Sequence, residues 1–255
     1  MLAKQVYGSN HNVNSHHIKK ILIVVAMESE GLPIISALHL QKSKRQFSPL
    51  PMQAYVGNIH GIDLMLIENG IDPVNHVQNI GTQAATLTTY VGYERFHPDL
   101  IISIGSAGGV LQNESRINGI YYSTAIFFYD RRLPIPGYHE YGLGDYKPLN
   151  LSDISKKIGI QPGVICSDDS FDDNKTDYDT FIKLHCSAIE MEAAGVAWVS
   201  MLTNTPILAI KGITNYVKGE NVHTDYQHNL PHVTKALSVK LKKLLIQLAE
   251  SNEKH

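Results

Sequence analysis

A series of short, continuous apolar runs constrains this chain more than any other feature. KILIVVA from Lys20, DLMLIE from Asp63, DLIISIG from Asp99, IYYSTAIFF from Ile120 and PILAIKG from Pro206 each read as a strand buried on both faces. GVIC from Gly163 is a weaker run of the same kind. Helical patterns lie between them. Val77, Ile80, Ala84, Leu87 and Val91 recur every three or four residues, which predicts a helix over 77–96. The stretch 188–202 is rich in helix formers. A last helix is expected to begin at Pro231, a residue suited to a first turn, with Val233, Leu237, Leu241, Leu244 and Leu248 on one face. Strands alternating with helices predict an α/β fold with one mixed, mostly parallel, twisted sheet covered on both sides. No internal repeat or long linker divides the chain, so one domain is expected over 19–250. A flexible polar tail is expected over 1–18 and a short one over 251–255. The Pro-, Gly- and Tyr-rich excursion at 130–160 is the kind of long loop that often carries function.

Composition narrows the function. The chain has 255 residues, and 22 basic against 24 acidic residues leave a formal charge of −2. That argues against the basic face of a nucleic-acid binder. Apolar runs fall short of the roughly 18–20 residues of a membrane span, and the polar N-terminal stretch has no apolar signal core. Two cysteines, Cys166 and Cys186, are too few for a disulfide framework; free thiols in a cytoplasmic protein are the simplest expectation. The sequons at Asn113, Asn150 and Asn174 are then chance matches.

Ligands of such folds bind at the carboxyl ends of the strands, so the residues after each apolar run are the candidates. Met27-Glu28-Ser29-Glu30 follows the first run. A carboxylate there can face a cleft, or merely favour a helix N-terminus. Gly105-Ser106-Ala107-Gly108-Gly109 follows the third; small residues let a ligand approach the backbone, or simply make a tight turn. Glu190-Met191-Glu192 heads an Ala-rich segment, and Ile213-Thr214-Asn215 ends the last run. Each can read a ligand or cap a turn. Metal-site spacing is absent among the thirteen histidines: there is no HExxH, and His223 and His228 stand five apart. The serine of IGSAGG is not in a GxSxG elbow, and no GxGxxG or Walker A pattern supports a nucleotide cofactor. No cofactor or metal is expected.

Taken together, VVAMESE from Val24, SIGSAGG from Ser103, CSDDSFDD from Cys166, AIEMEAAGVAWV from Ala188 and KGITNYVKGE from Lys211 resemble the 5′-methylthioadenosine/S-adenosylhomocysteine nucleosidase family in order and spacing. That family has the purine nucleoside phosphorylase-like fold, and FFYDRRLPIP with the following YGLG is similar to its plant-type branch. The resemblance covers about residues 20–250. It implies cleavage of the adenine–ribose bond by water, through an oxocarbenium-like transition state served by carboxylates. By resemblance, Glu30 activates water, Glu192 binds the ribose hydroxyls and Met191 lies against the sugar. Phe171 stacks on adenine, and Asp172 meets its edge through the backbone. Ser106, Ala107 and Gly108 form a small-residue wall, and Tyr226 lies near the sugar. Met27, Glu190, Lys211 and Thr214 complete the expected substrate-binding set.

One position departs from the pattern. Asn215 stands where the family has the aspartic acid that protonates N7 of the leaving base. An amide cannot supply that proton, although its NH₂ can donate to N7. General acid catalysis is worth about 10²–10⁴-fold, so slow turnover is expected. The substitution also fits a natural preference for 6-oxopurines, a non-catalytic nucleoside binder, or an introduced change that traps substrate. Water is favoured over phosphate as nucleophile. The five arginines (Arg45, Arg95, Arg116, Arg131 and Arg132) lie outside the site motifs, Lys211 stands where some relatives carry Arg, and Glu30 would repel an anion. The resemblance further implies a homodimer. Methylthioadenosine ranks ahead of S-adenosylhomocysteine, whose long tail must pass the loop Arg131–Pro148.

Overall fold

The computed structural model describes residues 17–44, 46–171 and 174–253. Among the described residues, nine strands form one mixed sheet: β1 (Lys20–Val25), β2 (Gln41–Lys42), β3 (Gln53–Ile59), β4 (Ile62–Glu68), β5 (Leu100–Gly109), β6 (Ile120–Phe128), β7 (Gln161–Ser167), β8 (Cys186–Glu190) and β9 (Ile207–Tyr216). Seven α-helices are interspersed among them in the described residues: α1 (Glu28–Leu38), α2 (Thr82–Phe96), α3 (Tyr138–Leu143), α4 (Ser152–Ile158), α5 (Lys175–Lys183), α6 (Ala193–Thr203) and α7 (Val222–Asn252). The strand order is β2-β3-β4-β1-β5-β8-β7-β6-β9, and β9 pairs back onto β5. β1 is parallel to both β4 and β5, and β5 is parallel to β9. Antiparallel pairing joins β3 to β4, β5 to β8 and β6 to β9.

The double burial expected of the apolar runs is plain in β1. Ile21, Ile23 and Val25 enter a core shared with α1, α4 and α7, whereas Leu22 and Val24 enter the opposite core against α2 and α6. Alternate side chains therefore serve opposite faces, and both faces must be apolar. α1 packs on α7, and α2 on α6.

Several local expectations are corrected. The helix expected from Val77 begins at Thr82. Val77 and Ile80 are exposed, and Gly81 at φ 101° takes the chain out of the helical region just before the first turn. The segment expected to continue a helix from Ala188 contains the end of β8 instead, and α6 starts at Ala193. The last helix starts at Val222 and carries Pro231 in its interior. β3 gave no recognised signal; it returns to β4 through His60 and Gly61, both at positive φ, the backbone of a two-residue hairpin. Ile18, assigned to a tail, is buried, and Asn252, assigned to another, bonds both its N–H and its carbonyl (3.1 and 2.6 Å). Residues 1–16 of the expected N-terminal tail and the last two residues lie outside the described residues.

Cys166 and Cys186 are not free thiols. They form a disulfide between the neighbouring strands β7 and β8, with Cα atoms 5.9 Å apart and both residues fully buried. No described helix is long and apolar enough to cross a membrane.

Candidate active site

The carboxyl ends of β1, β5, β8 and β9 open onto a cleft of about 740 Å³, its open mouth included. Met27, Glu30, Ser106, Ala107, Gly108, Phe171, Glu190, Met191, Glu192, Thr214, Asn215 and Tyr226, all expected from the sequence, line it. So do Ala26, Ile80, Ser170, Ile189, Val217 and Val222, which were not singled out. Asp172 lies outside the described residues. Among the described residues, no group of His, Cys, Asp and Glu could hold a metal ion.

Glu30 sits in the first turn of α1 and is buried. Its Oε1 accepts from the Ser106 backbone N–H at 2.7 Å and from the Ser106 hydroxyl at 2.8 Å. Its Oε2 faces the Met27 N–H at 3.4 Å. The carboxylate thus caps the helix and lines the cleft at once, so the two sequence readings are compatible. Gly105 is required by it: a Cβ there would lie 2.8 Å from Glu30 Oε1. Across the cleft, the β5–β9 register shifts between Ala107 and Gly108, so that Ala107 faces Ile213 and Gly108 faces Asn215. This bulge re-aims the end of β9. The Thr214 hydroxyl bonds Asn215 Oδ1 at 2.8 Å, and Asn215 Nδ2 lies 3.4 Å from the Tyr216 carbonyl.

Glu190 and Glu192 divide their work. The Glu190 carboxylate accepts from the Ser167 hydroxyl, the N–H of Glu192 (3.1 Å) and that of Ala193 (2.9 Å), and it pairs with the Lys211 ammonium at 2.6 Å. It therefore caps α6 and has little capacity left for a ligand. Lys211 is fully buried under this pair and does not line the cleft, so its expected contact with substrate is replaced by a structural one. Burial alone would depress the Lys211 pKa, but Glu190, Glu192 and Glu30 more than offset it and raise it. Glu192 is the available carboxylate. Its Oε1 accepts from the Gly81 N–H at 3.1 Å, before α2. Burial, with Glu190 and Glu30 nearby, pushes its pKa up to about 7 against the pull of Lys211 and Gly81.

The mouth is aromatic. Phe171, 56% exposed, meets Tyr226 edge to face with centroids 6.2 Å apart. The Tyr226 hydroxyl reaches Met27 Sδ at 3.8 Å, and burial beside Glu30 and Glu192 raises its pKa to about 12. Asp169, inside the CSDDSFDD motif but given no role from the sequence, accepts from the Thr82 N–H (2.6 Å), the Thr82 hydroxyl (2.7 Å) and Gln83 Nε2 (2.8 Å).

Carboxylates in an apolar cleft at the strand ends of this sheet define a class, and the chain belongs to it: the family model described as the phosphorylase superfamily matches residues 20–246. Within that superfamily it falls among the 5′-methylthioadenosine/S-adenosylhomocysteine nucleosidases. An Arabidopsis thaliana protein of that name is 29% identical over 243 residues, which cover 93% of this chain and 95% of the relative. One from Actinobacillus succinogenes is 30% identical over 219 residues, covering 79% and 87%. The solved apo structure of an Arabidopsis thaliana 5′-methylthioadenosine nucleosidase superposes with a TM-score of 0.88 at 27% identity, over 91% of this chain and 96% of that one.

Proposed function

We propose that this protein hydrolyses the N-glycosidic bond of 5′-methylthioadenosine, releasing adenine and a thioribose. One observation carries the choice of water as nucleophile: the cleft is lined by Glu30, Glu190 and Glu192, and no Lys, Arg or His is among its lining residues. Such a surface suits a cationic, oxocarbenium-like sugar and repels phosphate. In this reading Glu30 takes the proton of the attacking water, held in place by its two bonds from Ser106. Glu192 accepts the ribose hydroxyls. Phe171 stacks on the base, and Asn215 donates to N7. The Thr214 hydroxyl occupies Asn215 Oδ1, which leaves the NH₂ side for the base. Without an acid at N7 the leaving group departs with less help, so turnover is slow. The family resemblance supports a homodimer. So do the exposed Ile71, Val74 and Val77 before α2, Leu87 and Tyr90 on α2, and Leu202 on α6.

A second reading, a 6-oxopurine nucleoside as substrate, is favoured by the same amide: an NH₂ donor suits a 6-carbonyl as well as N7. The experiment is to incubate wild type and Asn215→Asp with methylthioadenosine, S-adenosylhomocysteine and inosine, with and without phosphate. The expected result is phosphate-independent adenine release from methylthioadenosine, about 10²–10⁴-fold faster in Asn215→Asp. No gain in that variant would remove the general-acid assignment. Faster cleavage of inosine by the wild type would select the second reading, and binding without any cleavage would make the chain a nucleoside binder.

A further inference from the structure

We infer that Asp169 is a positioning residue for base recognition, tying the segment that carries Phe171 to the first turn of α2. The inference rests on the nucleosidase reading, in which Phe171 stacks on the base. Ser170 and Phe171 lie between the end of β7 and the start of α5, outside any strand or helix. The Phe171 ring is more than half exposed and meets Tyr226 only edge-on. A stacking ring so weakly enclosed needs its backbone held from elsewhere. Asp168 contributes a backbone bond to the Glu190 carbonyl at 3.2 Å. Two residues before the ring, Asp169 contributes three bonds to a helix 87 positions away in sequence, all at 2.6–2.8 Å.

The other end of this tether is also informative. Gly81 precedes α2 without a side-chain cap of its own. Its N–H is bonded by Glu192, and the next N–H by Asp169. One short stretch of backbone therefore anchors both the carboxylate assigned to the sugar and the segment assigned to the base. A Cβ at Gly81 would lie 2.7 Å from Asp169 Oδ1, so the close approach requires glycine. Cutting the Asp169 tether frees the base side and leaves the Glu192 bond in place. The ordering of one or two residues must then be supplied by the ligand, which predicts a roughly tenfold loss of base affinity.

The test is calorimetric titration of adenine into wild type, Asp169→Ala and Asp169→Asn, with folding checked by circular dichroism. Wild type should bind, Asp169→Ala about tenfold more weakly, and Asp169→Asn in between. The asparagine carbonyl still accepts from Thr82 N–H, but its NH₂ faces that of Gln83. KM for methylthioadenosine should rise in step, with kcat changed less than threefold. A residue that merely caps α2 would lower the melting temperature and leave adenine affinity alone, and affinity within twofold of wild type overturns the inference. If Asp169→Ala does not fold, Thr82→Val decides, since it keeps the backbone bond and removes one of the three. A smaller loss in the same direction supports the tether, and unchanged affinity rejects it. Failure of the wild type to bind adenine would overturn the nucleosidase reading and this inference with it; binding by wild type with unchanged variants would overturn the inference alone.

Discussion

Glu192 holds its proton to a far higher pH than a carboxylate in water, because burial and two neighbouring carboxylates outweigh Lys211 and the Gly81 N–H. Its pKa of about 7 sets a direction for activity. Ribose hydroxyls donate to the ionised form, so kcat/KM for methylthioadenosine should rise as pH increases through about 7 and level off above it. A profile flat between pH 5.5 and 8.5 would take Glu192 out of sugar recognition. Several residues of the cleft were legible because they follow or end an apolar run: Glu30 after β1, Ser106 in β5 and Asn215 in β9; Glu192 was singled out instead as one of two carboxylates heading an Ala-rich segment. Glu190 lines the cleft but is taken up by backbone N–H groups and Lys211, and Lys211 does not reach the cleft. A sequence does not show which of two nearby carboxylates is saturated by backbone N–H groups, although a lysine inside an otherwise apolar strand does imply a buried partner. Asp169 sits in the CSDDSFDD motif, but its role was not legible, because its partners lie 86 and 87 positions away.

β4 ends in an unusual way for a strand buried on both sides. Glu68 Oε1 is buried and has no hydrogen-bond partner, and a Cβ on Gly31 of α1 would lie 2.4 Å from it. Burial, then the charge of Glu28, lifts its pKa to about 7 against the pull of Lys42. The sign follows from proton counting: the folded chain keeps a proton that the unfolded chain has lost. Stability therefore falls as pH rises from about 4.5 to about 7, and stays reduced above that. Glu68→Gln should raise the melting temperature at pH 8 by roughly 2–4 °C, about 1 kcal/mol after allowing for partial hydration, and change it little at pH 5. Scanning calorimetry at the two pH values checks this; an equal effect at both would exclude ionisation as the cause. Strands such as β1 and β5 were readable because double burial leaves no polar alternation. Helix starts were less so. Val77 and Ile80 prolong the apolar period past the true boundary at Gly81, and Pro231 looked like a first turn although α7 already runs nine residues before it. At α2 the boundary falls where Gly81 turns the backbone and where Glu192 and Asp169 accept from the N–H groups of Gly81 and Thr82.

The whole molecule is one sheet with helices on both sides, and that architecture was legible from the alternation of apolar runs and helical periods alone. The face proposed for two-fold association was not, because a sequence does not show which apolar side chains stay exposed together. Ile71, Val74, Leu87, Tyr90 and Leu202 expose large apolar surface near α2 and α6. Light scattering behind size-exclusion chromatography should give about twice the 28.3 kDa chain mass, and Leu87→Glu with Tyr90→Glu should return it to the single mass. A single-chain mass for the unmutated protein would remove the dimer. The Cys166–Cys186 bond has a topological meaning of its own. It closes the chain from 166 to 186 into a covalent ring, and that ring contains Asp169, Phe171 and the whole of α5. A peptide bond cut anywhere inside it detaches nothing: both new ends stay stitched to β7 and β8, and the polypeptide remains one molecule until the sulfurs are reduced.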